Sequence, residues 1–477
     1  MEDILAGSIV AIGQALSDRR LSAHEVTGWY LARIEALNHA GPQLNAVREL
    51  ASGALEAAKR ADRELAAGHR RGPLHGIPVL LKDNVLAADM TATAGAAALK
   101  GFKPRRDATL VARLRVAGAI VIGKTNLTEF ADYVSEVMPS GFSGAGGEVK
   151  NPHGVAPYGR GLGSSVGSAA AVAAGFVPAA VGSETQNSIQ TPSCVTSVYG
   201  FKPSVGVVSR SGVVPLVPSQ DSPGPIARSI EDLALVLSVI AGADSTDTAS
   251  LEMPRDLPGF LQPRDPRTIR IGVPRRAMAD RPDFADVMGS FETVLSQLSK
   301  AGVAIVDPCD LPSAEQLQDM RSSVFRTEFK AALNAFLSGH DHPCGINSLA
   351  ALIRWNDAHR DAIPHGQSLL LAAEATTGLD EPQYRADRAR DIALSRSAGI
   401  DAAVAASGAD ALIAPMTAAA KCTGKAGAPV LAIPVGLDGK GMPFGVTLYA
   451  PKGRDRRLLD VGAAIAAIVG QRCIPKL

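Results

Sequence analysis

Apolar positions follow two different spacings along the chain. In residues 1–70 they recur every three to four positions, which is typical of amphipathic helices, and Ser22 and Glu25 form a capping-box pattern at the start of one helix. From residue 76 onward, short apolar runs bounded by glycine and proline predict strands that are separated by helical segments. The predicted strands are residues 77–81, 119–122, 179–181, 269–273, 304–306, 411–413 and 430–435. Strands that alternate with helices predict an α/β fold whose sheet is covered on both faces.

The same pattern divides one predicted domain, residues 1–477, into four segments. Residues 1–70 are expected to form a helical cover, and residues 76–228 to form a core with dense Gly/Ser motifs. Residues 251–409 are richer in charge and predict a variable, mostly helical insertion. Residues 410–477 are expected to return to the core.

The charges of the chain nearly cancel, with 48 Lys and Arg against 47 Asp and Glu. A net charge of +1 supplies no electrostatic footprint for nucleic acid or an anionic membrane, so neither is expected as a partner. A small neutral substrate is expected instead. Residues 161–183 are uncharged and long enough to cross a bilayer, but their serines, Gly175 and Pro178 indicate a buried segment of a globular fold.

The five cysteines are widely spaced and include no C-x-x-C pair, which predicts neither a disulfide framework nor a zinc ribbon. Residues 1–3, Met-Glu-Asp, place acidic side chains where a signal peptide would carry basic ones, so a cytoplasmic protein is expected. His340 and His342 lie close together but have no third ligand in their neighbourhood, and no metal site is predicted.

Two short motifs indicate chemistry that their sequence context does not support. Residues 118–125 match the phosphate-binding pattern G-x-x-x-x-G-K-[ST], but the variable positions form an apolar strand and not a loop that could wrap around phosphate. Residues 163–167 match the G-x-S-x-G nucleophile elbow, but loop-like residues precede them in place of a buried strand. No histidine lies in this serine-rich region, so a serine nucleophile here needs another base.

Lys82 is the candidate base. It follows a predicted strand that would carry its ammonium group into an apolar interior, where the loss of hydration lowers the pKa and favours the neutral amine. Residue statistics favour instead a lysine that emerges into solvent at the end of a strand. On the strand pattern alone, both alternatives stay open.

Longer motifs accompany Lys82. The segment G-I-P-V-L-L-K-D at residues 76–83 is followed by G-S-S-V-G-S at 163–168, by G-S-E-T-Q-N-S-I-Q at 182–190 and by Y-G-F-K-P at 199–203. Together they resemble the amidase signature family, and within it the peptide amidase-like branch. The resemblance is dense over residues 76–228 and returns at 410–415 and 428–449. It implies the amidase signature fold, in which a large, mixed, twisted β-sheet is sandwiched between α-helical layers.

The resemblance also implies a Ser–cis-Ser–Lys triad. Ser188 corresponds to the nucleophile, Ser164 to the bridging serine with a cis peptide bond, and Lys82 to the base. The backbone N–H groups that correspond to the oxyanion hole belong to Thr185, Gln186, Asn187 and Ser188. The residues that by analogy line the acyl pocket are Phe130, Ala131, Ser140, Gly141, Phe142 and Met416. No metal or organic cofactor is implied, and water completes the reaction.

The chain departs from the family just before the proposed nucleophile. Glycine usually occupies one or both positions there, whereas this chain has Gln186 and Asn187, and Gln190 stands where an arginine is often found. Glycine permits a positive φ and close backbone approach, so these departures bear on the geometry of the oxyanion hole.

The function expected from these motifs is that of an amidohydrolase. It would cleave an amide, an arylamide, a carbamate or an ester through a seryl acyl-enzyme. The alternative is the amidase-like subunit of an aminoacyl-tRNA amidotransferase, which co-purification with partner subunits would favour. The acyl group, the leaving group and the oligomeric state stay open, and a homo-oligomer is compatible with the sequence.

Overall fold

The computed structural model describes residues 2–253, 257, 260–278 and 282–477. Its strands, in chain order, are β1 (Val47–Leu50), β2 (Pro78–Lys82), β3 (Ile120–Thr125), β4 (Phe142–Ser143), β5 (Gly147–Glu148), β6 (Lys150–Asn151), β7 (Ala156–Pro157), β8 (Ala179–Glu184), β9 (Tyr199–Lys202), β10 (Ser222–Ala227), β11 (Arg270–Gly272), β12 (Ala304–Val306), β13 (Ala411–Pro415), β14 (Val430–Leu437) and β15 (Pro443–Tyr449).

The α-helices are α1 (Glu2–Leu5), α2 (Ile9–Ser17), α3 (Ala23–Ile34), α4 (Ala54–Ala66), α5 (Thr109–Val116), α6 (Val166–Ala173), α7 (Gln190–Val195), α8 (Ile230–Ile240), α9 (Met288–Lys300), α10 (Ala314–Asp319), α11 (Val324–Ser338), α12 (Leu349–Ala358), α13 (Ser368–Glu374), α14 (Pro382–Ser395), α15 (Asp401–Ser407), α16 (Ala420–Ala426) and α17 (Asp455–Val469). Short 3₁₀ segments of three to six residues and two π-helical turns, Glu35–His39 and Arg396–Ile400, connect or extend them.

Within the described residues, eleven strands form one mixed sheet in the order β1-β3-β2-β8-β10-β9-β14-β15-β13-β11-β12. The pairs β2/β3, β2/β8, β11/β12 and β11/β13 are parallel, and the other neighbours are antiparallel. The expected α/β fold with a large mixed sheet is thereby confirmed. Residues 251–409 contribute β11 and β12, which extend the sheet beyond β13, and most of their other elements are helices.

The sequence pattern missed several strands, and β10 shows one physical cause. Its sequence S-P-G-P-I-A is typical of a turn because proline lacks an N–H and glycine lacks a side chain. The prolines are tolerated because β9 pairs only with Ile226 and Ala227, beyond them. Gly224 is required because a Cβ there would lie 2.0 Å from the Phe201 carbonyl oxygen. The other missed strands are β1, the two-residue strands β4, β5, β6 and β7, and β9 and β15.

Several local expectations agree with the structure. The Ser22 hydroxyl accepts the Glu25 N–H and the Glu25 carboxylate accepts the Ser22 N–H, which completes the capping box of α3. The uncharged residues 161–183 form the buried helix α6 and the buried strand β8, and α6 packs against β2, β8 and β10. All five cysteines are described and all are free. In the part of the chain that the structure describes, no helix combines the length and the apolar character needed to cross a bilayer.

Candidate active site

Lys82 ends β2 with its side chain fully buried, at 0% exposure. Its Nζ lies 2.7 Å from Ser164 Oγ and 3.1 Å from both the carbonyl and the hydroxyl oxygen of Ser183. Burial lowers the pKa of Lys82 to about 7 because the interior hydrates the ammonium form poorly. More distant carboxylates, chiefly that of Asp221, oppose this shift without cancelling it.

Other buried lysines are of two kinds: Lys202 donates only to the Thr423 and Ala428 carbonyls and has its pKa lowered by burial to about 8, whereas two more have carboxylate partners. Lys124 lies on the neighbouring strand β3 and has the carboxylate of Asp83 at 3.5 Å. Lys425 forms a 2.5 Å ion pair with Asp391. Within the described residues, Lys82 has only neutral oxygen atoms as direct partners. The solvent-exposed alternative for Lys82 is therefore wrong.

Ser164 faces Lys82 from the loop before α6. The Gly163–Ser164 peptide bond is cis, and the Ser164 carbonyl accepts the Thr128 N–H at 3.1 Å. Gly163 has no space for a side chain, since a Cβ there would lie 2.4 Å from Thr128 Oγ1. The adjacent Ser165, the centre of the elbow motif, has a different role: its hydroxyl donates to the Ser183 carbonyl at 3.0 Å and accepts the Ser183 N–H at 3.2 Å.

The sequence that matches the phosphate-binding pattern is a strand, as its apolar positions indicated. Gly123 and Lys124 both belong to β3, where a Cβ at Gly123 would lie 2.4 Å from the Glu49 carbonyl oxygen. Lys124 Nζ donates to the Val85 carbonyl in the interior. The glycine is therefore explained by strand packing.

Ser188 lies in the loop between β8 and α7. Its carbonyl accepts the Ser165 N–H at 3.0 Å, which ties this loop to the segment that carries Ser164. Its hydroxyl makes no hydrogen bond to any residue that the structure describes, Ser164 included. The structure thus brings Lys82 and Ser164 into contact and leaves the Ser188 hydroxyl free at the wall of a cavity.

The backbone donors around Ser188 differ in how they are used. The N–H groups of Ile189 and Gln190 donate to the Glu184 carboxylate at 2.6 and 2.9 Å. Across the described part of the chain, the N–H groups of the four residues expected to form the oxyanion hole, Thr185, Gln186, Asn187 and Ser188, find no protein acceptor. Four consecutive donors are therefore available in the loop that carries the serine hydroxyl.

Two cavities adjoin this loop. The first, which we call the nucleophile cavity, has a volume of about 320 Å³ and is lined by Ala131, Asp132, Tyr133, Gly161, Thr185, Gln186, Asn187, Ser188, Leu216 and Phe325. The second, which we call the inner cavity, has a volume of about 250 Å³ and shares Ala131, Thr185 and Leu216 with the first. The inner cavity touches Asn84 and Ser183, so the two cavities together extend from the surface of the Ser188 loop to the surroundings of Lys82.

Of the six residues expected in the acyl pocket, Ala131 alone lines either cavity. Phe130 is 3% exposed and packs edge-on against Phe329, with ring centroids 6.1 Å apart. Phe142 packs against the His365 ring at 4.8 Å. The remaining three, which are absent from both walls, are Ser140, Gly141 and Met416. The analogy selected the turn at residues 130–131 correctly, whereas the segments around residues 140–142 and 416 contribute no residue to either cavity wall.

The departures at 186 and 187 do not distort the backbone. Neither residue has a positive φ, so glycine is not required at either position. The Asn187 side-chain amide donates to the Gly161 carbonyl at 3.0 Å, and that of Gln186 donates to Gln220 Oε1 at 3.2 Å. Both amides are thus engaged with protein acceptors.

Gln190 stands at the position where related sequences often have an arginine, and its side chain is buried, with the residue 1% exposed. Its Nε2 donates at 2.7 Å to Glu184 Oε1 and at 2.7 Å to the Gln186 carbonyl. Burial raises the pKa of the Glu184 carboxyl, while Lys202 and the hydrogen bonds from residues 189 and 190 oppose that shift. Gln190 therefore connects a buried carboxyl to the loop that carries Ser188.

Sequence reasoning missed three residues of this site. Ser183 holds Lys82 Nζ through two oxygen atoms, and Asn84 Nδ2 donates to the Ser183 hydroxyl at 2.9 Å. Asp132 lines the nucleophile cavity. Ser183 could have been found, because it belongs to the segment 182–190 that carries the family resemblance and follows the predicted strand 179–181 directly. Among the described residues, no group of three or more His, Cys, Asp or Glu side chains is arranged to hold a metal ion.

Comparison with known proteins gives one consistent result. The sequence model of the family described as Amidase matches residues 25–425. The native peptide amidase of Stenotrophomonas maltophilia superposes with a TM-score of 0.90 at 38% identity, over 98% of each chain. A probable amidase of Arabidopsis thaliana is 32% identical over 99% of this chain and 92% of its own length. One glutamyl-tRNA(Gln) amidotransferase subunit of Acidothermus cellulolyticus is 32% identical over 99% of this chain and 96% of its own.

The role of Gln190 is testable by unfolding in denaturant. Gln190→Leu keeps much of the volume but removes the donor to Glu184 and to the Gln186 carbonyl, so we expect the free energy of unfolding to fall by about 1–3 kcal/mol. Asn187→Ala is the control, because it removes an exposed hydrogen bond and should change the free energy of unfolding by at most about 0.5 kcal/mol. Equal losses in the two variants would contradict a special role for Gln190.

Proposed function

The chain belongs to the amidase family, and we propose that it hydrolyses a small amide through a seryl acyl-enzyme formed on Ser188. The observation that carries this proposal is the 2.7 Å contact between Ser164 Oγ and the buried Lys82 amine, which has no carboxylate in direct contact among the described residues. Arylamides, carbamates and esters fall within the same chemistry, since each presents a carbonyl carbon with a leaving group.

The neighbours of Lys82 Nζ match the requirements of a neutral amine. A neutral amine has two N–H donors and one lone pair. Three oxygen atoms surround Nζ, and the two on Ser183 can accept its N–H groups. The lone pair is then left for the nearest neighbour, the Ser164 hydroxyl, which donates to it. Asn84 supports this orientation by donating to the Ser183 hydroxyl.

In the proposed acylation step, Ser188 Oγ forms a bond to the carbonyl carbon of the substrate. The Ser188 proton passes to Ser164, whose own proton passes to Lys82. The relay requires the Ser188 hydroxyl to approach Ser164 when substrate binds, because catalytic hydrogen bonds are often incomplete in a free enzyme. The free N–H groups of residues 186–188 stabilise the negative oxygen that develops.

The intermediate then collapses. The C–N bond breaks, and the proton held by Lys82 returns through Ser164 to the departing amine. Water attacks the acyl-enzyme ester with the same relay as its base, which releases the acid and restores Ser188. In each half of the cycle the relay takes up one proton and gives one back, so Lys82 and Ser164 end as they began.

The amidotransferase alternative shares this fold and this site. Its support is the nearly full-length similarity to the glutamyl-tRNA(Gln) amidotransferase chain of Acidothermus cellulolyticus. The peptide amidase similarity covers both chains equally well at higher identity, and the arginine often found two residues after the nucleophile is Gln190 here. We therefore favour a hydrolase that acts without partner subunits, and a chain that turns over amides only in the presence of co-purified subunits would favour the alternative.

The nucleophile can be identified by covalent labelling. A serine-directed phosphonylating reagent should modify Ser188, and Ser188→Ala should stay folded while losing at least about a thousandfold in activity. Ser164→Ala should cost nearly as much, because residues of one relay are not additive. Peptide mapping by mass spectrometry locates the label. A label on Ser165 would contradict the assignment and favour the elbow motif.

The base can be identified from pH dependence and from substitution. Lys82 acts only when neutral, and its pKa is lowered to about 7, so kcat/KM should rise with pH and level off above that value. Lys82→Arg should be as inactive as Lys82→Ala because a guanidinium does not lose its proton. Substantial activity in the arginine variant would show that position 82 supplies only a positive charge.

A further inference from the structure

The nucleophile cavity has one formally charged side chain in its wall, that of Asp132, among the described residues. The other wall residues are uncharged and include the rings of Tyr133 and Phe325. Asp132 is held in place by a left-handed backbone conformation, with φ of 78°, and by its N–H, which donates to the Glu129 carbonyl at 3.0 Å. The carboxyl group is therefore a fixed feature of the wall that also presents Ser188.

Asp132 has no cationic partner within hydrogen-bonding distance in the part of the chain that is described. Its Oδ2 accepts a hydrogen bond from Ser140 Oγ at 3.2 Å, and Ser140 Oγ in turn accepts the Leu162 N–H at 3.0 Å. Burial raises the pKa of Asp132, and Lys82 is the charged residue that lowers it through space. A partly buried carboxyl without a counter-ion is costly in the free protein and is suited to a cation that a ligand brings.

The rings beside Asp132 favour the same kind of ligand. The Tyr133 and Phe325 rings pack with centroids 5.1 Å apart and both line the cavity. The faces of aromatic rings attract cations, most strongly where water is excluded. Arg326 is exposed and acts on the Tyr133 phenol, but it is not part of the cavity wall.

We propose that Asp132 selects substrates that carry a positively charged group close to the scissile carbonyl, such as amino acid amides with a free α-ammonium group. This inference rests on the proposed role of Ser188, since it assumes that the nucleophile cavity receives the substrate. It replaces the neutral substrate expected from the net charge of the chain. Net charge describes the whole surface and carries no information about one cavity wall.

Two amides with the same carbon skeleton provide the test. Leucinamide carries an α-amino group that is mostly protonated near pH 7, and 4-methylpentanamide has hydrogen in its place. Because the ammonium group also activates the carbonyl, the decisive quantity is the ratio of the two kcat/KM values in wild type and in Asp132→Asn. The variant should lower the ratio of kcat/KM for leucinamide to that for 4-methylpentanamide by about tenfold, which corresponds to a loss of about 1.4 kcal/mol for the cation. The ratio cancels any effect of Asp132 on Lys82, which acts on both substrates.

Glu136→Gln is the matched control, because Glu136 is an exposed carboxylate on the same loop and does not line the cavity. It should leave the ratio unchanged. A ratio that is unaffected by Asp132→Asn, or affected equally by Glu136→Gln, would overturn the inference while leaving amide hydrolysis intact.

Binding measurements distinguish a failure of the cation site at Asp132 from a failure of the proposed hydrolysis at Ser188. In calorimetry, Ser188→Ala should bind leucinamide at least about tenfold more tightly than 4-methylpentanamide. Adding Asp132→Asn should abolish this difference in affinity. If wild type hydrolyses neither amide but binding discriminates in this way, the cation site stands and the proposed function fails. If the two amides bind equally, the inference fails whatever the turnover.

Discussion

The site depends on one energetic constraint, the burial of an amine in the interior without a carboxylate beside it. Taking an ammonium ion out of water is so unfavourable that the group loses its proton unless a charge compensates it. Lys124, one strand away, has a carboxylate at 3.5 Å, whereas Lys82 contacts only neutral oxygen atoms among the described residues. Burial lowers the pKa of Lys82 to about 7, which is the value that its proposed role as a base requires.

The sheet explains why these neighbours meet. Strands β2 and β8 are parallel, with Leu81 opposite Val181, so Lys82 emerges beside the residues that end β8. Ser183 is one of them and supplies both oxygen atoms that orient the amine. The chain then turns directly into the loop that carries Ser188, and the hydrogen bond from Ser165 to the Ser188 carbonyl joins it to the loop of Ser164. The register of β2 against β8 therefore determines how the segments that carry Lys82, Ser164 and Ser188 lie relative to one another.

The sequence predicted those features that depend on local pattern or on motif. Apolar runs located β2, β3 and β8 because these strands are buried on both faces, and the motifs located Lys82, Ser164 and Ser188. The pattern could not find β10, where prolines and a glycine lie inside a paired strand because of how β9 and Phe201 approach it. Nor could it place Phe130 in the core and Asp132 in the cavity wall, because positive φ values at residues 130–132 reverse the direction of side chains in that turn. Long-range register and local backbone conformation decide these details.

The measurement that tests the central claim most directly is the titration of Lys82 itself. Protein labelled with ¹³C and ¹⁵N at lysine can be followed by NMR over pH, with the Lys82 signal assigned by its loss in Lys82→Met. The account predicts a transition near pH 7 for this amine, while exposed lysines titrate near about 10.4. A Lys82 signal that stays that of an ammonium group through pH values well above 7 would contradict a neutral base and, with it, the proposed mechanism.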